Sequence, residues 1–97
     1  MGKPKSPVSS LSYEEMEELG ERAEEAARAY ILSRVPRRKI TDLTVAVDAE
    51  KTEEGELNVN VDVEVRLSST MRNFDVEELV NGAVEASFKA VEEYLGN

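Results

Sequence analysis

The chain has 97 residues, 34% of them charged, and a net charge of −9. It contains no cysteine, histidine or tryptophan. Disulfides, thiolate metal sites, the commonest general base and the commonest transition-metal ligand are therefore excluded. The acidic excess argues against a general nucleic-acid binder, whose affinity comes from neutralising phosphates, and no apolar run approaches the roughly 18 residues of a membrane span.

Residues 1–11 read as a disordered tail. Pro4 and Pro7 interrupt regular structure, and lysines and serines offer little to bury. No apolar core of a secretory signal is expected there. Residues 12–96 read as a single α+β domain. Its first helix opens with Ser12 and Glu15 in capping-box spacing, flanked by Leu11 and Met16 as a hydrophobic staple. Met16, Leu19, Ala23, Ala26, Ala27, Tyr30 and Ile31 recur at intervals of three and four, which is one apolar stripe. Glutamates crowd the start of this helix and basic residues its end, as the helix dipole favours. Pro36 biases Val35 out of the helical region, so the run is predicted to stop there, at about 34 Å.

A strand follows from Ile40 to Glu50, with Leu43, Val45, Val47 and Ala49 on one face. The polar loop 51–55 ends in Gly55, as hairpins use. The next strand, Leu57 to Leu67, reads LNVNVDVEVRL: every odd position is apolar and every even one polar. Side chains of a strand alternate between faces, so this strand has one apolar side and one wet side. Residues 68–74 are a connector. The second helix opens with Asp75 and Glu78 inside the staple pair Phe74 and Leu79, and Gly96 ends it. Its apolar residues span about 200° of the helical wheel against about 140° for the first helix, both beyond the minimum stripe of about 100°.

The expected fold is therefore α-β-β-α, an antiparallel hairpin with one face covered by two helices. Leu43, Val45, Val47, Val59, Val61, Val63 and Val65 are expected to be buried, and Asp48, Asn58, Asn60 and Asp62 exposed.

Three surfaces are candidate sites. The polar face of the hairpin gathers Asp42, Asp48, Glu50, Asn58, Asn60, Asp62 and Glu64, oxygen donors of the kind hard cations take. No compact ligand spacing accompanies them, so a solvated sheet face is the expectation, with no metal and no cofactor. Arg34, Arg37, Arg38 and Lys39 are the only strongly basic stretch and the candidate phosphate contact. They equally suit the C-terminal end of a helix dipole. The surplus apolar arc of the second helix, Val84, Phe88 and Leu95, is the candidate interaction surface. No catalytic residues stand out: serines lack a histidine to activate them, and the glycines are too scattered for a phosphate loop.

The segments LSYEEMEELGERAEEAARAYILSRV, ITDLTVAVDAE, LNVNVDVEVRL and FDVEELVNGAVEASFKAVEEYL resemble a family of short acidic archaeal proteins classed as a domain of unknown function. The resemblance covers residues 11–95 and shares the α-β-β-α order and both helix openings. It implies an archaeal, cytoplasmic protein, with genes often near that of the prefoldin beta subunit. It supplies no site residues.

The reading from sequence is a non-catalytic protein-interaction module that self-associates, expected as a homodimer, with a further protein partner open. The alternative is an RNA accessory protein using residues 34–39, although nucleic acid is disfavoured by charge. Long valine-rich strand edges without proline are liabilities unless paired, and the surplus arc of the second helix points the same way.

Overall fold

The computed structural model describes residues 11–96. The expected disordered tail lies outside them except for Leu11, which is buried, so the packed domain includes this residue. The elements are α1 (Tyr13–Arg34), β1 (Ile40–Lys51), β2 (Leu57–Leu67) and α2 (Val76–Tyr94). The two strands form an antiparallel two-stranded sheet. Both helices pack on its apolar face, α1 over β1 and α2 over β2, and against each other.

The helix boundaries follow from local chemistry. The Glu15 N–H donates to Ser12 Oγ at 3.1 Å, and the Ser12 N–H donates to Glu15 Oε1 at 2.8 Å. Two backbone donors left over at the helix start are thus satisfied reciprocally. α2 uses half of that device: the Glu78 N–H donates to Asp75 Oδ1 at 3.1 Å, with no return bond from the Glu78 side chain. α1 stops at Val35, which is extended (φ −132°, ψ 129°) ahead of Pro36 and wholly buried. The hairpin loop turns on Gly55 at φ 83°, a conformation open to glycine at little steric cost. Gly96 at φ 93° ends α2 in the same way.

One irregularity matters for the core. Ile40 pairs with Leu67 and Asp42 with Arg66, so Thr41 is an extra residue in β1. A bulge of one residue reverses the alternation. Ile40, which strict period two would place opposite Leu43, therefore joins Leu43 and Val45 against the core.

The helices meet along two rows spaced by four. Leu19, Ala23, Ala27 and Ile31 of α1 face Leu79, Ala83, Ser87 and Val91 of α2, and all are buried. Ridges at i±4 fitting together are a common helix packing, and small residues let the axes approach closely. Gly82 belongs to this approach: a Cβ there would collide with the Tyr30 hydroxyl and ring.

The sheet is less well covered than its alternation predicts. The faces are as expected, with Asp48, Asn58, Asn60 and Asp62 exposed. Of the seven apolar residues expected to be buried, however, Val45 alone is, at 7% exposure; Leu43, Val47, Val59, Val61, Val63 and Val65 remain half-buried. With two strands, each is an edge strand, and its apolar side chains stay open to solvent from the outer side.

Candidate functional site

Each strand has one partner, so among the described residues both outer edges of the sheet keep unpaired backbone donors and acceptors. The two edges have different surroundings. Beside the β1 edge, the flank of α1 presents Tyr13, Met16, Gly20 and three glutamates. Beside β2, the flank of α2 carries apolar residues that lie outside both core clusters.

That apolar flank contains two of the three predicted interaction residues. Phe88 is 40% exposed. Val84 is half-buried, and neither residue belongs to a core cluster. Leu95 does not join them; it packs against the cluster of Leu19, Ala23 and Val91. Val76, also exposed, and the half-buried Val80 extend the line at i,i+4 spacing, so Val76, Val80, Val84 and Phe88 run along one side of α2. Spacing by four from Val84 was the sequence signal for Val76 and Val80.

The basic stretch is divided among structural tasks. The Arg34 guanidinium lies 4.6 Å from the centre of the Tyr30 ring, a cation–π stack. Lys39 Nζ donates to Thr70 Oγ1 at 2.9 Å, and its carbonyl accepts from the Ser68 N–H at 2.8 Å. Residues Arg37–Lys39 form a short 3-10 turn that joins α1 to β1 and is tied to the 68–70 connector. Arg37 and Arg38 remain exposed.

The polar sheet face sets amides beside acids. Asp48 pairs with Asn60 and Glu50 with Asn58, so each of these carboxylates faces an amide across the ladder. Among the described residues no group of three carboxylates converges as a metal site.

Two polar contacts had no sequence signal. Ser87, fully buried, donates its hydroxyl to the Ala23 carbonyl at 2.7 Å across the helix seam. Tyr94 donates to Glu18 Oε1 at 3.0 Å, and the Arg22 guanidinium lies 5.4 Å from its ring centre. Partial burial, then the bond to Glu18 and the negative charge of that carboxylate, raise the Tyr94 pKa above its ordinary value.

Among the described residues, the exposed features are the open strand edges, the apolar residues on the flank of α2 and the carboxylates beside β1. The family described as "Protein of unknown function (DUF3194)" matches residues 8–94, and the chain belongs to it. Two solved structures share the fold. One is the solution structure of the hypothetical protein mth677 from Methanothermobacter thermautotrophicus, 27% identical, with 89% of this chain and 90% of that one covered and a TM-score of 0.74. The other is a crystal structure from Thermococcus onnurineus NA1, also 27% identical, with 98% and 84% covered and a TM-score of 0.72. No curated protein matches the chain. A family of unknown function with archaeal relatives, as the resemblance implied, is thus supported. Among the described residues no helix is long and apolar enough to cross a membrane.

Proposed function

We propose that this protein is a non-catalytic interaction module that self-associates through the flank formed by α2 and the β2 edge. The observation that carries the reading is Phe88, 40% exposed beside a half-buried Val84, with neither side chain in a core cluster. A second copy related by a twofold axis would cover both at once. It would also pair the backbone of the β2 edge, which carries no proline and one basic residue, Arg66. The net charge of −9 opposes association, but salt screens it over about 8–10 Å while apolar burial acts at contact.

The RNA alternative draws less support, because Arg34 is stacked on Tyr30 and Lys39 is held by Thr70. A cytoplasmic protein, encoded near the prefoldin beta subunit and working through protein contacts, is the cellular setting that goes with the proposal. Light scattering after size exclusion tests it. The expected mass is that of two chains, falling to one in Phe88→Lys and Val84→Glu while each variant keeps a cooperative unfolding transition. A mass of one chain for the unaltered protein, at high concentration and moderate salt, overturns it.

A further inference from the structure

We infer that the groove between α1 and the open edge of β1 binds an extended, basic peptide segment of another protein as a third strand of the sheet. This rests on the reading of the protein as an interaction module, and is independent of its self-association.

The groove has a volume of about 710 Å³. One wall is α1, through Tyr13, Met16, Glu17, Gly20, Glu21 and Glu24; the other is β1 from Val47 to Lys51. Consecutive strand residues line it, so it contains the strand's backbone edge and not one face alone. Residues 13–24 of a helix extend about 16 Å, and residues 47–51 of a strand about 13 Å. Both lengths suit an extended segment of about four or five residues.

Charge selects the occupant. Among the described residues, Glu17, Glu21, Glu24, Asp48 and Glu50 line the groove with a single cation, Lys51. Glu24 is paired with Arg28 at 2.9 Å, and Lys51 Nζ donates to the Leu11 carbonyl at 2.8 Å. Glu17, Glu21, Asp48 and Glu50 make no ion pair or side-chain hydrogen bond among the described residues. A third strand would place alternate side chains about 5 Å from Asp48 and Glu50 on the polar face of the sheet. Lysine or arginine there neutralises them, whereas a phosphate or an acidic chain is repelled.

Gly20 points to the same occupant. It lies inside α1, where glycine is less stabilising than alanine. Nothing in the packing of the described residues requires it: among them, a Cβ there would meet no heavy atom nearer than Val47 Cγ1 at 4.0 Å, an ordinary contact. The missing side chain leaves open the part of the groove where the helix-facing side chains of an added strand would lie. Tyr13, 79% exposed at one end, offers a ring face to a cation.

The probe is an acetylated and amidated peptide, Lys-Val-Lys-Val-Lys-Val-Lys, titrated into the full chain and followed by amide shifts and hydrogen exchange. Shifts and new protection are expected at residues 47–51 and along the flank of α1, with binding that weakens as salt rises. Gly20→Leu should weaken binding about tenfold or more without lowering the thermal midpoint. Asp48→Asn combined with Glu50→Gln, two exposed changes, should do the same. Equal binding by a peptide N-methylated at alternate residues would overturn the inference, as would shifts at the β2 edge or no loss in Gly20→Leu. So would protection of residues 47–51 that appears without peptide and vanishes on dilution, since the occupant is then a second copy. A protein that scatters as one chain yet binds the peptide separates this inference from self-association.

Discussion

Along the helix seam, Leu19, Ala23, Ala27 and Ile31 meet Leu79, Ala83, Ser87 and Val91, and all eight are buried. Along the sheet, valines and leucines of the same chemistry stay half-exposed, with Val45 alone buried. Width explains the difference. Two helices at about 8–10 Å between axes, each about 10 Å across, make a layer roughly 18–20 Å wide. Two strands spaced about 4.8 Å apart fill roughly half of it. The helix layer therefore overhangs the sheet, and each overhang shelters an open strand edge. The layer matches a sheet of about four strands, which is the geometric reason to expect strands from outside. The edges differ in what they would accept: carboxylates border β1, and an apolar line on α2 borders β2.

The largest effects should separate seam from sheet. Ile31→Ala removes a wholly buried side chain and should cost about 2–5 kcal/mol in urea denaturation. Val61→Ala, half-buried and in neither core cluster, should cost about 1 kcal/mol or less in dilute protein. Equal losses would show that the sheet face is as closed in solution as the seam.

The two helix-interior glycines sharpen the contrast. At Gly82 a methyl group would strike the Tyr30 ring, which also stacks under Arg34. Overpacking of about 1–3 kcal/mol set against about 1 kcal/mol of helix propensity leaves a net loss of up to about 2 kcal/mol for Gly82→Ala. The same change in a Tyr30→Leu background should recover most of that loss; no recovery would mean that the collision is elsewhere. At Gly20 the described residues leave space for a methyl group, so Gly20→Ala should stabilise by about 0.5–1 kcal/mol. A lowered melting midpoint for Gly20→Ala would show that packing, not an occupant, requires this glycine.

The unbroken alternation from Leu57 to Leu67 made β2 legible to its ends, and the cap and Pro36 set the limits of α1. The shortfall in burial was not legible, because period two says which way a side chain points and not how wide the layer above it is. The bulge at Thr41 was hidden for a related reason: an extra residue shows only in pairing register, which one strand's sequence does not contain. On α2, Val84 and Phe88 stay outside both core clusters, as their wheel positions suggested, whereas Leu95, half-buried, packs against Leu19, Ala23 and Val91 at the end of the seam. Ser87 went unnoticed because its partner is a backbone carbonyl on the other helix. The acidic groove depends on which flank of α1 overhangs β1, a tertiary relation.

The smallest expected effect lies at Tyr94, which bridges to Glu18 and Arg22 on α1 near the end of α2. Here the helices are joined by an exposed polar contact in place of buried alanines. Tyr94→Phe should therefore cost only a few tenths of a kcal/mol at neutral pH, the scale of an exposed charge-assisted contact. The pH dependence identifies its origin. Partial burial and the Glu18 carboxylate both favour the neutral phenol, so the folded pKa lies above the unfolded value of about 10. The contribution is then fully present below about pH 10 and is lost as pH rises through the folded pKa, where a phenolate would face the carboxylate. Lysines titrate in the same range, so the quantity to follow is the difference between the unaltered protein and Tyr94→Phe. That difference should stay level from neutral pH to about 9 and shrink above about 10. A difference that holds constant to about pH 11 would show that ring packing, not the hydrogen bond to Glu18, joins the helices at this end.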